Sequence, residues 1–112
     1  MNNRDITFLG LIRRAGFLEV GDESVNAVAR RGRARVILSA ADASDNSKRR
    51  ASGYARTYGT AYARLPWTKE ELRNLLGRGE PAMLAVTDSG MAKALLERLE
   101  RTNSENHRRI ES

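Results

Sequence analysis

The chain contains no cysteine. That excludes disulfide frameworks, thiolate zinc sites, CxxC redox centres and cysteine nucleophiles, and it suits a reducing cytoplasm. Histidine occurs once, at His107, in a polar stretch near the end. A histidine zinc site, a Ser-His-Asp triad or a histidine proton shuttle has nothing to be built from. No apolar run approaches the ~18 residues that a membrane span needs. The opening residues, Met1-Asn2-Asn3-Arg4-Asp5, are a polar lead-in to a patterned helix and do not read as a signal peptide. Lysine is scarce too. Of 20 basic residues only Lys48, Lys69 and Lys93 are lysines, so seventeen are arginines.

What is present is one small domain's worth of chain, 112 residues. Its formal net charge is +6 and its pI about 10.5. A basic chain favours a polyanionic partner, nucleic acid before an anionic membrane. Arginine sharpens that expectation, because its planar fork binds phosphates and base edges bidentately where lysine offers a point charge.

Hydrophobic periodicity predicts nine elements. Phe8, Leu11, Ile12 and Ala15 mark one face of a helix from Asp5 to Ala15, stopped by Gly16. Phe17–Val20 reads as a short strand. Asp22–Arg31 reads as a helix with carboxylates at its positive end and Val25, Val28 and Ala29 on its buried stripe. The run at 36–40 is continuously apolar, as expected of a strand covered on both faces. A third helix spans Asp45–Tyr58 with Ala51, Tyr54, Ala55 and Tyr58 on its apolar face, and Thr60–Leu65 reads as an outer strand. Thr68 and Glu71 have capping-box spacing, with Trp67 placed to staple against Leu72. A second apolar strand at 82–86 and a last helix capped by Asp88 or Ser89 complete the series. Strict alternation predicts a three-layer α/β/α sandwich of about five helices around a mixed sheet of about four strands. Residues 1–101 form the single domain, and 102–112 read as a polar, frayed tail.

Few motifs suggest chemistry. Gly77-Arg78-Gly79-Glu80-Pro81-Ala82 fits G-x-G-x-x-A loosely, but it follows a helix and precedes a strand, the reverse of a dinucleotide site. It reads as a helix stop and a basic surface loop. Arg30, Arg31, Arg33 and Arg35 cluster around one helix end, either as a solvated turn or as a phosphate patch. Lys48, Arg49 and Arg50 sit at the start of a helix, against its dipole. Asp42, Ser44 and Asp45 follow a central strand, where ligands gather in open α/β sheets, but capping by Ser44 or Asp45 and turn formation by Asp42 explain them better. Tyr54 and Tyr58 read as core, Tyr62 is undecided, and Trp67 reads as a staple in preference to a base-stacking platform. No nucleophile-plus-base set is evident, and no cofactor or metal is implied.

Ordered landmarks then suggest a family. They are Leu9-Gly10-Leu11-Ile12-Arg13-Arg14-Ala15-Gly16, Val20-Gly21-Asp22-Glu23, Arg31-Gly32-Arg33-Ala34, and the stretch from Leu38-Ser39-Ala40 to Ser47-Lys48-Arg49. Trp67-Thr68-Lys69-Glu70-Glu71-Leu72 and Ala85-Val86-Thr87-Asp88-Ser89-Gly90-Met91-Ala92 follow. Over about residues 6–100 the chain resembles the kink-turn RNA-binding ribosomal-protein family of archaea and eukaryotes, and more closely its bacterial YlxQ-like branch. That family has an α/β/α sandwich fold. The resemblance implies RNA binding without catalysis, by insertion of the second helix's N-terminal turn into a sharply bent stem.

The family signature G-x-N-E-x-x-K falls on Gly21 through Ala27. Gly21 matches, while Glu23, Ser24 and Ala27 replace the Asn, Glu and Lys. Ionised Glu23 can only accept hydrogen bonds where Asn donates. A second contact element, with G-x-x-x-P spacing, falls on Gly77 and Pro81, both of which match. The resemblance thus points to Gly21, Asp22, Glu23, Ser24 and Val25 as an insertion edge and to Gly77, Arg78, Gly79 and Pro81 as a clamp loop. Arg31, Arg33, Lys48 and Arg49 are the candidate phosphate contacts.

The expected partner is structured RNA, ribosomal or otherwise kink-turn-like, and through it the ribosome or translation factors, in the cytoplasm and with no membrane. A monomer is the default. One alternative is a protein-interaction module of the same fold that has lost kink-turn binding. Another is a small hydrolase using Asp42, Asp45 and Asp88 with Mg²⁺.

Overall fold

The computed structural model describes residues 3–77 and 81–111, and the side chains of 5–77 and 81–101. Among the described residues five helices alternate with four strands. They are α1 (Asn3–Arg14), β1 (Leu18–Val20), α2 (Asp22–Arg30), β2 (Val36–Ser39), α3 (Asp45–Tyr58), β3 (Ala61–Arg64), α4 (Lys69–Leu76), β4 (Met83–Val86) and α5 (Ser89–Glu111).

The strands form one sheet in the order β1-β4-β2-β3. β4 is antiparallel to both of its neighbours, with Leu84 opposite Val20 on one side and Leu38 on the other. β2 and β3 are parallel, with Ile37 opposite Tyr62. The two apolar runs are therefore the central strands, and every residue of each is buried. The two outer strands are paired on one edge only and are correspondingly half-buried or exposed.

Alternation along the central strands divides the core between two faces. Val36, Leu38, Leu84 and Val86 point to one face, where Leu9 and Ile12 of α1, Leu72 and Leu76 of α4, and Ala92, Leu95 and Leu99 of α5 cover them. Ile37, Met83 and Ala85 point to the other, under Val25 and Ala29 of α2 and Ala51 and Ala55 of α3. Each fully buried Leu or Ile contributes about 1.5–3 kcal/mol relative to exposure. The second face is lined mostly by alanines, so α2 and α3 lie close to the sheet.

Local chemistry sets the element ends. Ser44 caps α3 by accepting from the Ser47 N–H at 3.1 Å. Thr68 and Glu71 form the reciprocal capping box on α4. Trp67, 1% exposed, shares the first core cluster with Leu72, as the staple requires. Asp88 caps α5 by accepting from the Met91 N–H at 2.9 Å.

Two expectations change. The buried stripe of α1 runs through Asp5, Leu9 and Ile12, while Leu11 is 46% exposed and Ala15 is exposed. The helix is turned so that Asp5 meets Arg98 of α5, whose guanidinium also lies 4.4 Å from the Phe8 ring centroid. This clamp between α1 and α5 orients α1. Tyr58, in the last turn of α3, is 38% exposed instead of core. α5 extends from Ser89 to Glu111, and its sequence from Thr102 on holds no glycine or proline.

Candidate nucleic-acid interface

The topology gives the sandwich two ends. β1, β2 and β3 run toward one end and β4 runs away from it. The first end therefore collects the starts of α2, α3 and α4 and the connection from α4 to β4. The opposite end collects the connections at 15–17, 31–35, 59–60 and 87–88.

The Gly21 end is stitched together by its backbone. Gly21 N–H donates to Met83 O at 2.8 Å, which joins the start of α2 to the end of the α4–β4 connection. Ala40 N–H donates to Ala82 O, and Ala41 N–H to Trp67 O. The Asp42 carboxylate accepts from the Lys69 N–H at 2.8 Å, so it caps α4, 27 residues away, and not its own turn. Gly21 has φ 98 and ψ 155, a region essentially restricted to glycine. It gives α2 no side-chain cap, so the N–H groups of the first turn stay open to an outside acceptor.

Asp22 is held from α3. The Tyr54 hydroxyl donates to it at 2.7 Å, and Arg50 forms an ion pair with it. The phenol of Tyr54 is held above its ordinary pKa, first by that hydrogen bond and then by partial burial. The Arg50 guanidinium is raised too, by Tyr54 and then by the charge of Asp22. Arg50 therefore answers the negative charge that Asp22 would otherwise turn toward a phosphate. Periodicity gave no sign of this trio. The signal in the sequence was a basic run set against a helix dipole, which lacked a local reason.

The predicted site residues separate into three groups. Gly21, Glu23, Ser24, Lys48, Arg49 and Gly77 lie at the one end; Glu23 and Arg49 are exposed, and Ser24 and Lys48 half-buried. Val25 and Pro81 belong to this end by backbone, but both are buried, and Val25 is 0% exposed. The Val25 side chain is core beneath the edge and does not face a ligand. Arg31 and Arg33 lie at the opposite end, beyond the far end of α2. Arg78 and Gly79 fall outside the described residues.

The three carboxylates of the hydrolase reading are not brought together. Asp42 follows β2 and Asp88 follows the antiparallel β4, so they sit at opposite ends of the sheet, each occupied in capping a helix. Among the described residues no group of three or more His, Cys, Asp or Glu side chains is placed to hold a metal. No helix among them is long and apolar enough to cross a membrane.

Known proteins share this arrangement. A protein of Bacillus subtilis (strain 168) named RNA-binding protein YlxQ is 34% identical over 96 residues, covering 82% of this chain and 91% of the relative. The chain belongs to the YlxQ family. A YlxQ protein of Enterococcus faecium, also named an RNA-binding protein, is 28% identical over 95 residues, 85% of this chain and 90% of its own. No profile of a wider protein family matches. A solved structure from Bacillus halodurans, described as a protein with unknown function, superposes with a TM-score of 0.79 at 21% identity. It covers 88% of this chain and 99% of its own, and it shows that the sandwich is a shared fold. Membership of the YlxQ family agrees with the landmark residues, which lie on the element boundaries of the fold, from the α1 stop to the start of α5.

Proposed function

We propose that this chain is a non-catalytic RNA-binding protein that recognises structured RNA, a kink-turn-like or bulged stem, in a ribosomal or translation-linked setting in the cytoplasm. The YlxQ relatives are named for RNA binding. The observation that carries the reading is the seam between Gly21 and Met83. It sets the uncapped first turn of α2 beside the α4–β4 connection, so that two elements distant in sequence form one edge. Open helix N–H groups there suit phosphate oxygens, and Ser24 can donate to a base edge. Lys48 and Arg49, on the first turns of α3, stand beside that edge to meet the backbone of the same stem. The Arg50 and Tyr54 contacts keep Asp22 from repelling it.

The test is binding to a kink-turn stem and to a straight duplex of equal length, at two salt concentrations. Preference for the bent stem is the expected result, reduced by Lys48→Gln with Arg49→Gln. Equal affinity for both would reduce the reading to general phosphate binding. No binding to either would leave the protein-interaction module as the better account.

A further inference from the structure

The chain's positive charge is concentrated away from the edge just described. At the Gly21 end the carboxylates of Asp22, Glu23, Asp42, Asp45, Glu70 and Glu71 offset Lys48, Arg49, Arg50, Arg64, Lys69 and Arg73. At the opposite end the last turn of α1 brings Arg13 and Arg14, and the last residue of α2 and the α2–β2 connection bring Arg30, Arg31, Arg33 and Arg35, against Asp88, which caps α5. All six are exposed, and among the described residues none has a carboxylate within ion-pairing distance.

The platform beneath them is rigid. Arg35 N–H donates to Val86 O at 2.8 Å, Thr87 N–H to Phe17 O at 2.9 Å, and Thr60 Oγ1 to Ala34 O at 2.9 Å. These three bonds tie the four connections at 15–17, 31–35, 59–60 and 87–88 to one another and to the sheet end. Among the described residues, two of the three exposed large hydrophobic side chains, Phe17 and Tyr58, belong to this same end, each 38% exposed.

We infer that this end is a second RNA-binding face, and that its ligand is a separate segment with unpaired bases. It shares with the proposed function only the class of partner. Six of the cations here are arginines, whose forks grip phosphates bidentately, and Lys93 of α5 lines a shallow cavity with Arg35. An acidic protein would be satisfied by any cation and would leave the two aromatics without a role. A strand of unpaired RNA uses both features, with phosphates on the guanidinium groups and bases stacked on the rings. The two faces lie at opposite ends of the strands, so one molecule joins two RNA segments.

The experiment saturates the protein with a kink-turn stem and then titrates a short, labelled single-stranded RNA of mixed sequence. The strand should bind in addition to the stem. Replacing Arg30, Arg31, Arg33 and Arg35 by Gln should weaken strand binding at least about tenfold and lower its salt slope by about 3, at roughly 0.7 per contact. Phe17→Ala should weaken it about fivefold or more. Binding of the stem at the other end should be unchanged in both variants, and circular dichroism should show them folded. Displacement of the strand by the stem would overturn the inference, as would equal weakening of both ligands or failure of the wild-type protein to bind the strand. If the stem shows no preference for a bend while the strand still depends on these arginines, the proposed function falls and this inference stands.

Discussion

The two ends of the sandwich are built by opposite means. At the Gly21 end nearly every feature is tied to another: Asp22 to Tyr54 and Arg50, Asp42 to α4, Gly21 to β4. At the Arg33 end the backbone is fixed, but the side chains of Arg13, Arg14, Arg30, Arg31, Arg33 and Arg35 are exposed. Shape is held at one end and charge is displayed at the other. Total charge alone cannot reveal this division, since +6 spread evenly gives the same pI.

The strongest way to break the contrast is at Gly21. Gly21→Ala forces a side chain into a backbone region that costs of order 1–3 kcal/mol. Thermal unfolding should show a Tm several degrees lower, and binding to a bent stem should suffer with it. An unchanged Tm would mean that the seam relaxes freely. Asp22→Ala is the next largest. It strands the Tyr54 hydroxyl and the Arg50 guanidinium and should cost about 1 kcal/mol in urea unfolding, since the ion pair is partly exposed.

A pH titration sharpens the same point. The Tyr54 phenol is raised in the folded state, so its contribution is complete below the ordinary tyrosine value of about 10. It is lost as pH rises through the folded value. Stability should fall at alkaline pH in the wild-type protein and less steeply in Tyr54→Phe; parallel curves would count against the bond. The smallest effect on stability is expected at the other end. Arg31→Gln with Arg33→Gln should change the unfolding free energy by less than about 0.5 kcal/mol. The same pair should cut the salt slope of single-strand RNA binding by about 1.5.

The architecture was largely legible in the sequence because its signals are local. Apolar runs marked the two central strands, and the Thr68–Glu71 box and the glycine stops marked helix ends. The rotation of α1 was not legible. Asp5 counts as polar in any periodicity, and a partner that favours its burial, Arg98, is 93 residues away. The site was legible as a set of residues but not as a place. A basic cluster in the sequence does not show which end of a sheet it occupies, and strand direction decided that for Arg31 and Arg33. Val25 was assigned to the edge by its neighbours in sequence, whereas one step round the helix carries it into the core.

The position of β4 has a consequence for how the chain is made. β1 and β2 never touch each other as neighbours, for β4 lies between them and supplies the partner bonds of both. As the polypeptide leaves the ribosome, β1, α2, β2, α3 and β3 emerge first, and the middle of the sheet is still missing. β1 can pair only when residues about 65 positions later arrive. The sheet therefore closes only after β4 has emerged, in a step that joins its first strand to its last.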